Sequence, residues 1–301
     1  MTIGHAPPET AATAAPGAAD PLAPAADPAP AKAAAPLVAV VPSSARRRSV
    51  PRWIRRLSGP LALLGLWQLA GVLGWLPEET LAPPARIAAA GVELIADGTL
   101  PEAMAVSLQR VVIGLAVGGV IGTGLALLSG LSRLGEDLID ASVQMLRTVP
   151  WVGLIPLFII WMGIGEAPKV ALIALGTAFH LYLNVYAGIR GVDEQLIEAG
   201  GALSLGRWGL VRHVVLPGAL PGFMTGLRYS LATAWLALVF GESINADAGI
   251  GFLMNQAREF FRTDVIVVCL VVYAVLGLVA DLAVRTLERL LLQWRPTFTG
   301  R

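Results

Sequence analysis

The sequence predicts an all-α, polytopic membrane protein with six transmembrane helices, on three observations. The chain is 55% apolar and only 14% charged, with a mean hydropathy of +0.69, whereas a soluble domain carries about 25% charged residues. Apolar spans recur at roughly Pro60–Leu76, Met104–Ser129, Val149–Gly163, Val170–Ile189, Gly218–Gly241 and Val265–Val284. Lys and Arg collect in alternate connecting segments, as they do on the cytoplasmic side of a membrane protein. Crossing ~30 Å of hydrocarbon takes ~20 helical residues, so the first and third spans are short and are expected to extend into their flanks.

Residues 1–56 precede these spans and are rich in Ala and Pro, with few large apolar side chains. Such a segment buries too little surface to offset its chain entropy and is expected to be a disordered tail. No basic n-region leads into an apolar h-region, so it does not read as a secretory leader. It closes on Arg46, Arg47, Arg48, Arg52, Arg55 and Arg56, with Trp53 among them. That cluster reads as an interfacial membrane anchor in preference to a nucleic-acid contact, and a net charge of +1 offers nucleic acid no bulk attraction. The transmembrane domain is expected over 57–296, followed by a cytoplasmic end at 297–301.

Charge sets the orientation. With both termini inside, the cytoplasmic segments hold sixteen of the 22 Lys and Arg residues. The external segments hold Arg86, Lys169, Arg258 and Arg262, while Arg110 and Arg228 lie within spans. The segment 190–217 is therefore expected in the cytoplasm. Outside, LPEETLAPP (76–84) is turn-rich, Ile87–Gly98 can form a short surface helix, and Gly249 and Gly251 offer a flexible bend within Ser243–Asp264. That last loop is long enough to plug the outer mouth or to receive a docking protein.

Several chemistries are excluded by absence of residues. The lone cysteine, Cys269, permits no intrachain disulfide, and His5, His180 and His213 show no metal-ligand spacing. The only lysines, Lys32 and Lys169, do not follow a glycine, so no phosphate-binding G-K-[ST] exists. No clustered nucleophile and base suggest a membrane enzyme. No inverted repeat with matching broken helices suggests an ion-coupled secondary transporter.

The most telling stretch is Glu198–Pro217, EAGGALSLGRWGLVRHVVLP, a charged, helix-compatible segment between two apolar spans. A helix over about Leu196–Ser204 would carry Leu196, Ala199, Gly200 and Leu203 on one face. Small residues there permit close approach by a partner, and Leu216-Pro217 is placed to open the next span. The plain alternative is an ordinary amphipathic connector. Gly114, Gly118, Gly122 and Ala126 recur every four residues and make a flat stripe for helix packing. The interleaved GGVIGTG follows no strand and is not a dinucleotide fingerprint. Polar groups inside spans are costly in lipid and mark candidate path residues. Arg228 lies about 16 Å beyond Pro217 at ~1.5 Å per residue and reads either as a cation for an anionic substrate or as an arginine tied to a carboxylate between helices. Glu242 reads as a gate or an interface residue, and His180 with Asn184 as path residues or interhelical hydrogen-bonders.

The spacing of Glu198–Pro217 resembles the signature of ABC importer permeases: Glu-Ala-Ala, a Gly four residues on, nine more residues, then Ile-x-Leu-Pro. Glu198, Ala199, Leu216 and Pro217 match and Val214 stands in for Ile, whereas Gly200 and Ser204 depart. From about Leu61 to Pro296 the chain is similar to the aliphatic sulfonate permeases within the sulfonate, taurine and nitrate group. LPEET (76–80), SGLSRLGEDLIDASVQMLRTVP (129–150), GESINADAGIGFLMNQAREFFRTDV (241–265) and YAVLGLVADLAVRTLERLLLQWRP carry this. The resemblance implies a type I ABC importer permease fold in a bacterial inner membrane, with no enzymatic activity and no cofactor of its own. It further implies a homodimer, a separate ATPase subunit holding ATP and Mg, and a periplasmic substrate-binding protein. Coupling to the ATPase would fall on Glu198, Ala199, Gly200, Ser204, Leu205, Gly206, Leu216 and Pro217.

Overall fold

The computed structural model describes residues 52–77 and 80–294. The tail before residue 52, the pair Glu78 and Glu79, and the end beyond 294 lie outside the described residues, so the expectations placed on them stay there. Among the described residues all regular structure is helical. The helices are α1 (Arg52–Val72), α2 (Pro84–Ala96), α3 (Thr99–Leu131), α4 (Arg133–Gly135), α5 (Ala141–Leu146), α6 (Ile155–Met162), α7 (Glu166–Arg190), α8 (Glu194–Ala202), α9 (Arg207–Leu210), α10 (Leu216–Asn245), α11 (Ile250–Glu259) and α12 (Thr263–Leu291).

Four continuous helical segments are long and apolar enough to cross a membrane: Thr99–Leu131, Glu166–Arg190, Arg207–Ile244 and Thr263–Leu291. The expected third span is not a straight helix. Arg133–Leu146 and Trp151–Met162 meet at a bend of 86°, and the break falls at Pro150, whose extended ψ of 91° stops the incoming helix. A proline lacks the N–H that would continue the ladder and disfavours helix in the residue before it. The expected first span is a shorter apolar helix, Leu57–Val72, and the chain turns after it at Gly74, where φ is +70°. Thus the described residues hold four uninterrupted crossings, a broken fifth and a short apolar helix.

Helix α7 is the centre of the bundle. It lies along α3 with glycines of α3 against it in rising order. A Cβ on Gly114 would stand 2.5 Å from Ile173 Cγ2, on Gly122 2.9 Å from Ala178 Cα, and on Gly130 2.8 Å from Ile189 Cγ2. Sequence numbers increase together, so α3 and α7 run parallel. The chain must therefore recross between them, and the bent pair is what lies there. Ala126 is fully buried on the same stripe.

The opposite side of α7 packs on α10 in the reverse sense. A Cβ on Gly176 would lie 2.9 Å from Thr233 Cγ2, on Gly188 3.0 Å from the Ala219 carbonyl, and on Gly222 2.6 Å from the Asn184 carbonyl. The two helices are antiparallel, and the α10 stripe was not singled out from the sequence although Gly218, Gly222 and Gly226 share the same four-residue spacing. Leu172, Ile173, Ala234 and Leu238 fill the middle of the bundle, and Leu181, Tyr182 and Val185 continue it toward α8. Around the start of α3, α2, α11 and α12 close a separate apolar cluster that includes Leu100, Ile250 and Cys269.

These contacts leave no room for a methyl group at Gly118, where a Cβ would collide with Thr177 and the Ala174 backbone, yet Gly124 on the same helix faces open space. Gly118→Ala is expected to destabilise the bundle by about 1–3 kcal/mol, whereas Gly124→Ala leaves its melting temperature in detergent unchanged or raised.

Candidate functional site

Three polar arrangements interrupt this apolar bundle, and the first is the segment around α8. Asp193 caps the helix by accepting the Gln195 N–H at 2.9 Å, so α8 begins two residues ahead of the expected Leu196. It ends two residues before the expected Ser204 because Ser204 is left-handed, with φ at +60°. The Ser204 N–H bonds the Gly201 carbonyl at 2.9 Å and the Leu205 N–H bonds the Gly200 carbonyl at 3.1 Å. That pair of bonds is a Schellman stop, whose left-handed position favours glycine. Here is the physical reason the signature carries Gly at this position and the reason Ser204 departs from it at a cost.

Gly200 is buried, and a Cβ on it would lie 2.7 Å from Leu210 Cδ1, so glycine replaces the usual alanine where α8 meets α9. Glu198, Ala199, Leu196 and Leu203 are exposed, as are Gly206 and the nearby Trp208, while Leu205 is half-buried. Leu196, Leu203 and Trp208 are thus exposed apolar side chains, and at ~3.6 residues per turn Glu198 lies on the other side of α8 from Leu196 and Leu203. Leu216-Pro217 opens α10 as expected, yet no break precedes it. The helix runs on from Arg207 through a π-helical turn at Val211–Val215. Pro217 lacks the N–H that would bond His213, and the wider turn accommodates its ring.

The second arrangement joins the end of α7 to the π-helical turn Glu136–Asp140. Tyr182 donates to Asp140 Oδ1 at 2.8 Å and Tyr186 donates to Glu136 Oε1 at 2.7 Å. The two rings stack at 5.8 Å, and Arg190 pairs with Glu136 at 3.5 Å. Since α7 leads directly into α8, this node ties the first limb of the broken span to the root of α8. No single residue in it stood out from the sequence, because Glu136 and Asp140 meet tyrosines some fifty positions away.

The third lies at the far end of the bundle and corrects the reading of its charges. Arg110 and Glu242 are 3% and 0% exposed and pair at 2.5 Å. Glu242 Oε1 also accepts the Ser107 hydroxyl at 2.7 Å, and Oε2 accepts the Gly251 N–H at 2.8 Å and the Tyr273 hydroxyl at 3.0 Å. Arg110 forks onto Glu166 at 2.5 and 2.6 Å and donates to the Ala248 carbonyl at 2.7 Å. Lys169, expected in an external loop, is instead in the first turn of α7, buried and 3.1 Å from Glu166. Two cations meet two carboxylates, and every oxygen of Glu242 is occupied. The bend expected to be flexible is held by this cluster: Gly249 has φ at +103°, and a Cβ there would stand 2.6 Å from Arg110.

The remaining candidates scatter. His180 and Asn184 bond carbonyls of their own helix, Gly176 at 2.9 Å and His180 at 2.8 Å, with only a 3.4 Å approach of His180 to Thr233 across to α10. The expected interhelical bonding is therefore confined to that one approach, because a polar side chain in an apolar helix satisfies itself most cheaply on the carbonyl four residues back. Arg228, the expected deep cation, is half-exposed and pairs with Glu288 and Asp281 of α12; Arg110 is the deeper one.

In class this is a polytopic membrane protein, a bundle of closely packed crossing helices with an exposed short helix at one end. The chain belongs to the family described as binding-protein-dependent transport system inner membrane component, which matches residues 114–293. It is 45% identical over 252 residues to SsuC of Escherichia coli (strain K12), named as an aliphatic sulfonates transport permease, covering 83% of this chain and 96% of that one. SsuC of Bacillus subtilis (strain 168) is 38% identical, over 82% of this chain and 90% of the relative. The taurine transport permease TauC of E. coli is 34% identical, over 78% and 88%. Among solved structures, the inward-facing MetNI methionine ABC transporter superposes with a TM-score of 0.54 at 22% identity, covering 62% of this chain and 92% of that chain. The fold is that of ABC importer permeases.

Two outcomes test this geometry. Relieving the left-handed serine by Ser204→Gly is expected to stabilise α8 by about 1 kcal/mol, read as slower amide exchange over 194–205. Glu242→Ala removes the buried carboxylate shared by Arg110, Ser107, Gly251 and Tyr273 and is expected to cost about 3 kcal/mol, read as a lower melting temperature, while exposed Glu259→Ala leaves it in place.

Proposed function

We propose that this chain is the membrane-spanning subunit of an ATP-driven importer that moves aliphatic sulfonates from periplasm to cytoplasm. The observation that carries the substrate is the 45% identity to a permease named for aliphatic sulfonates, spanning 96% of that relative, against 34% for the one named for taurine. Taurine is the second reading, and that lower but extensive similarity is what favours it.

In this reading two copies pair in the bacterial inner membrane, with both termini cytoplasmic as the charge distribution requires. Two ATPase subunits dock beneath and a periplasmic binding protein delivers the anion from above. No covalent chemistry occurs in the chain, and ATP with its Mg is held and hydrolysed by the partner. The docking surface is α8 and the turn after it: Glu198 is exposed on one side for a basic residue of the ATPase, and Leu196, Leu203 and Trp208 offer exposed apolar anchorage along the same segment. A push on α8 reaches α9 where Gly200 seats on Leu210, and from there α10 through the π-helical turn. It reaches α7 through the short link at Gly191–Asp193. Because α7 is locked to both α3 and α10, the displacement moves the bundle as a body and exchanges inward for outward access.

A strain lacking this gene tests the reading. Growth is expected to fail on alkanesulfonates as sole sulfur source, persist on sulfate, and return when the gene is restored; failure on taurine alone would move the substrate to the second reading. Glu198→Arg is expected to abolish uptake with the protein still inserted at normal abundance, and unimpaired uptake would overturn the docking role of α8.

A further inference from the structure

The two arginines within the spans are in opposite states. Arg110 is sealed, with Nε and both terminal nitrogens engaged by Glu166, Glu242 and the Ala248 carbonyl. Arg228 is 44% exposed. A guanidinium carries five N–H donors, and among the described residues only one of those on Arg228 has an acceptor, Glu288 Oε2. Asp281 stands 3.8 Å from Nε, an ion-pair distance without a hydrogen bond. Asp281 is itself bound by Arg285 at 2.6 Å. Two cations and two carboxylates therefore balance on facing turns of α10 and α12, with most of the Arg228 fork unfilled.

This face does not suit lipid. Much of the exposed surface of the spans is aliphatic, as at Val112, Val117, Val120 and Ile121 on α3 and Val271, Val275 and Leu278 on α12. Beside Arg228, α10 instead exposes Thr225, Tyr229 and Ala232, at the spacing of one helical stripe. Charge inside a span belongs against protein or a water-filled path, and spare donors on a half-exposed cation require water or an anion.

We propose that Arg228 is an oxyanion-exchange site, in which the anionic head of the transported molecule takes the guanidinium fork and displaces the carboxylates of Glu288 and Asp281. A sulfonate has three equivalent oxygens on one charge, and two of them match the parallel N–H pair of an arginine. The carboxylates keep the site from becoming a trap: they neutralise Arg228 when no anion is present and reclaim it when the anion leaves. Binding that is strong enough to admit an ion and weak enough to release it is what a conducting site needs.

The choice of sulfonate rests on the proposed permease function, whereas the exchange site does not. The full-length chain in nanodiscs of neutral lipid is titrated calorimetrically with ethanesulfonate, with ethanol as the uncharged control. Arg228→Gln is expected to weaken ethanesulfonate binding about tenfold, and Glu288→Gln, which removes a competitor, to tighten it about threefold. If Arg228 is only a strut, both substitutions break the same ion pair and shift affinity in the same direction or not at all, and the proposal fails. Absence of ethanesulfonate binding to the unaltered chain overturns it as well. Preference for sulfate or nitrate over ethanesulfonate, with the same opposed shifts, upholds the exchange site and overturns the sulfonate reading. Normal ethanesulfonate uptake by cells carrying either variant, with binding unchanged, overturns the site and upholds that reading. Loss of binding when phosphatidylglycerol is added to the nanodisc assigns Arg228 to a lipid headgroup and overturns transport exchange.

Discussion

Lipid tails are as apolar as leucine, so helices inside a membrane gain little from hiding apolar surface against each other, and association rests on close fit. The contact of α7 with α3 on one side and α10 on the other is such a fit, and the rest of the chain is arranged around it. Gly114, Gly118 and Gly122 bring the α3 backbone onto Ile173, Ala174 and Ala178, while Gly176 and Gly188 of α7 and Gly222 of α10 do the same across the other seam. Dispersion attraction falls steeply with a gap of even half an ångström. Side chains of ordinary size would hold these helices apart and forfeit it. The three helices are thus one body, and what attaches to any of them moves all three.

The polar groups follow from that constraint. At the α11 end, burying Arg110, Glu242 and Lys169, with the exposed Glu166 paired to both cations, costs desolvation, and such a set is weak evidence for stability on its own. It does fix geometry: Glu242 alone gathers Ser107 of α3, Gly251 of α11 and Tyr273 of α12 onto α10. At the α8 end the ties are fewer and more exposed, through Glu136, Tyr186 and Arg190. A bundle welded at one end and lightly tied at the other concentrates its freedom around α8.

Much of this was legible in the sequence because it depends on composition and short periods. The spans at 104–129, 170–189, 218–241 and 265–284 correspond to α3, α7, α10 and α12, since twenty apolar residues admit few structures other than a crossing helix. The third span misled because Pro150 outweighed the apolar run that follows it, and hydropathy does not register a break. The site was less legible. Arg228 drew attention as a charge far from a span end, yet Arg110 is the buried one, and what distinguishes them is partners 56 to 138 positions away. Ser204 could be recognised as a departure from a signature, but the reason for the glycine appears only in its φ of +60°.

That serine shows how local strain and mechanical function meet. Transmission from a docked ATPase needs α8 to be stiff and its ends to be fixed relative to α7 and α10. Asp193 fixes one end by capping, and the Schellman turn fixes the other, with Leu205 following Ser204 back onto Gly200. Holding a residue with a Cβ in the left-handed region costs on the order of 1 kcal/mol, so this turn opens more readily than a glycine turn would. The opening would compete directly with the proposed docking, because Leu203 and Trp208 flank the turn on the exposed side. A partner that grips both residues holds the turn closed and so tightens α8 as it binds. In the proposed mechanism the stiffness needed for the power stroke is then completed by the subunit that delivers it.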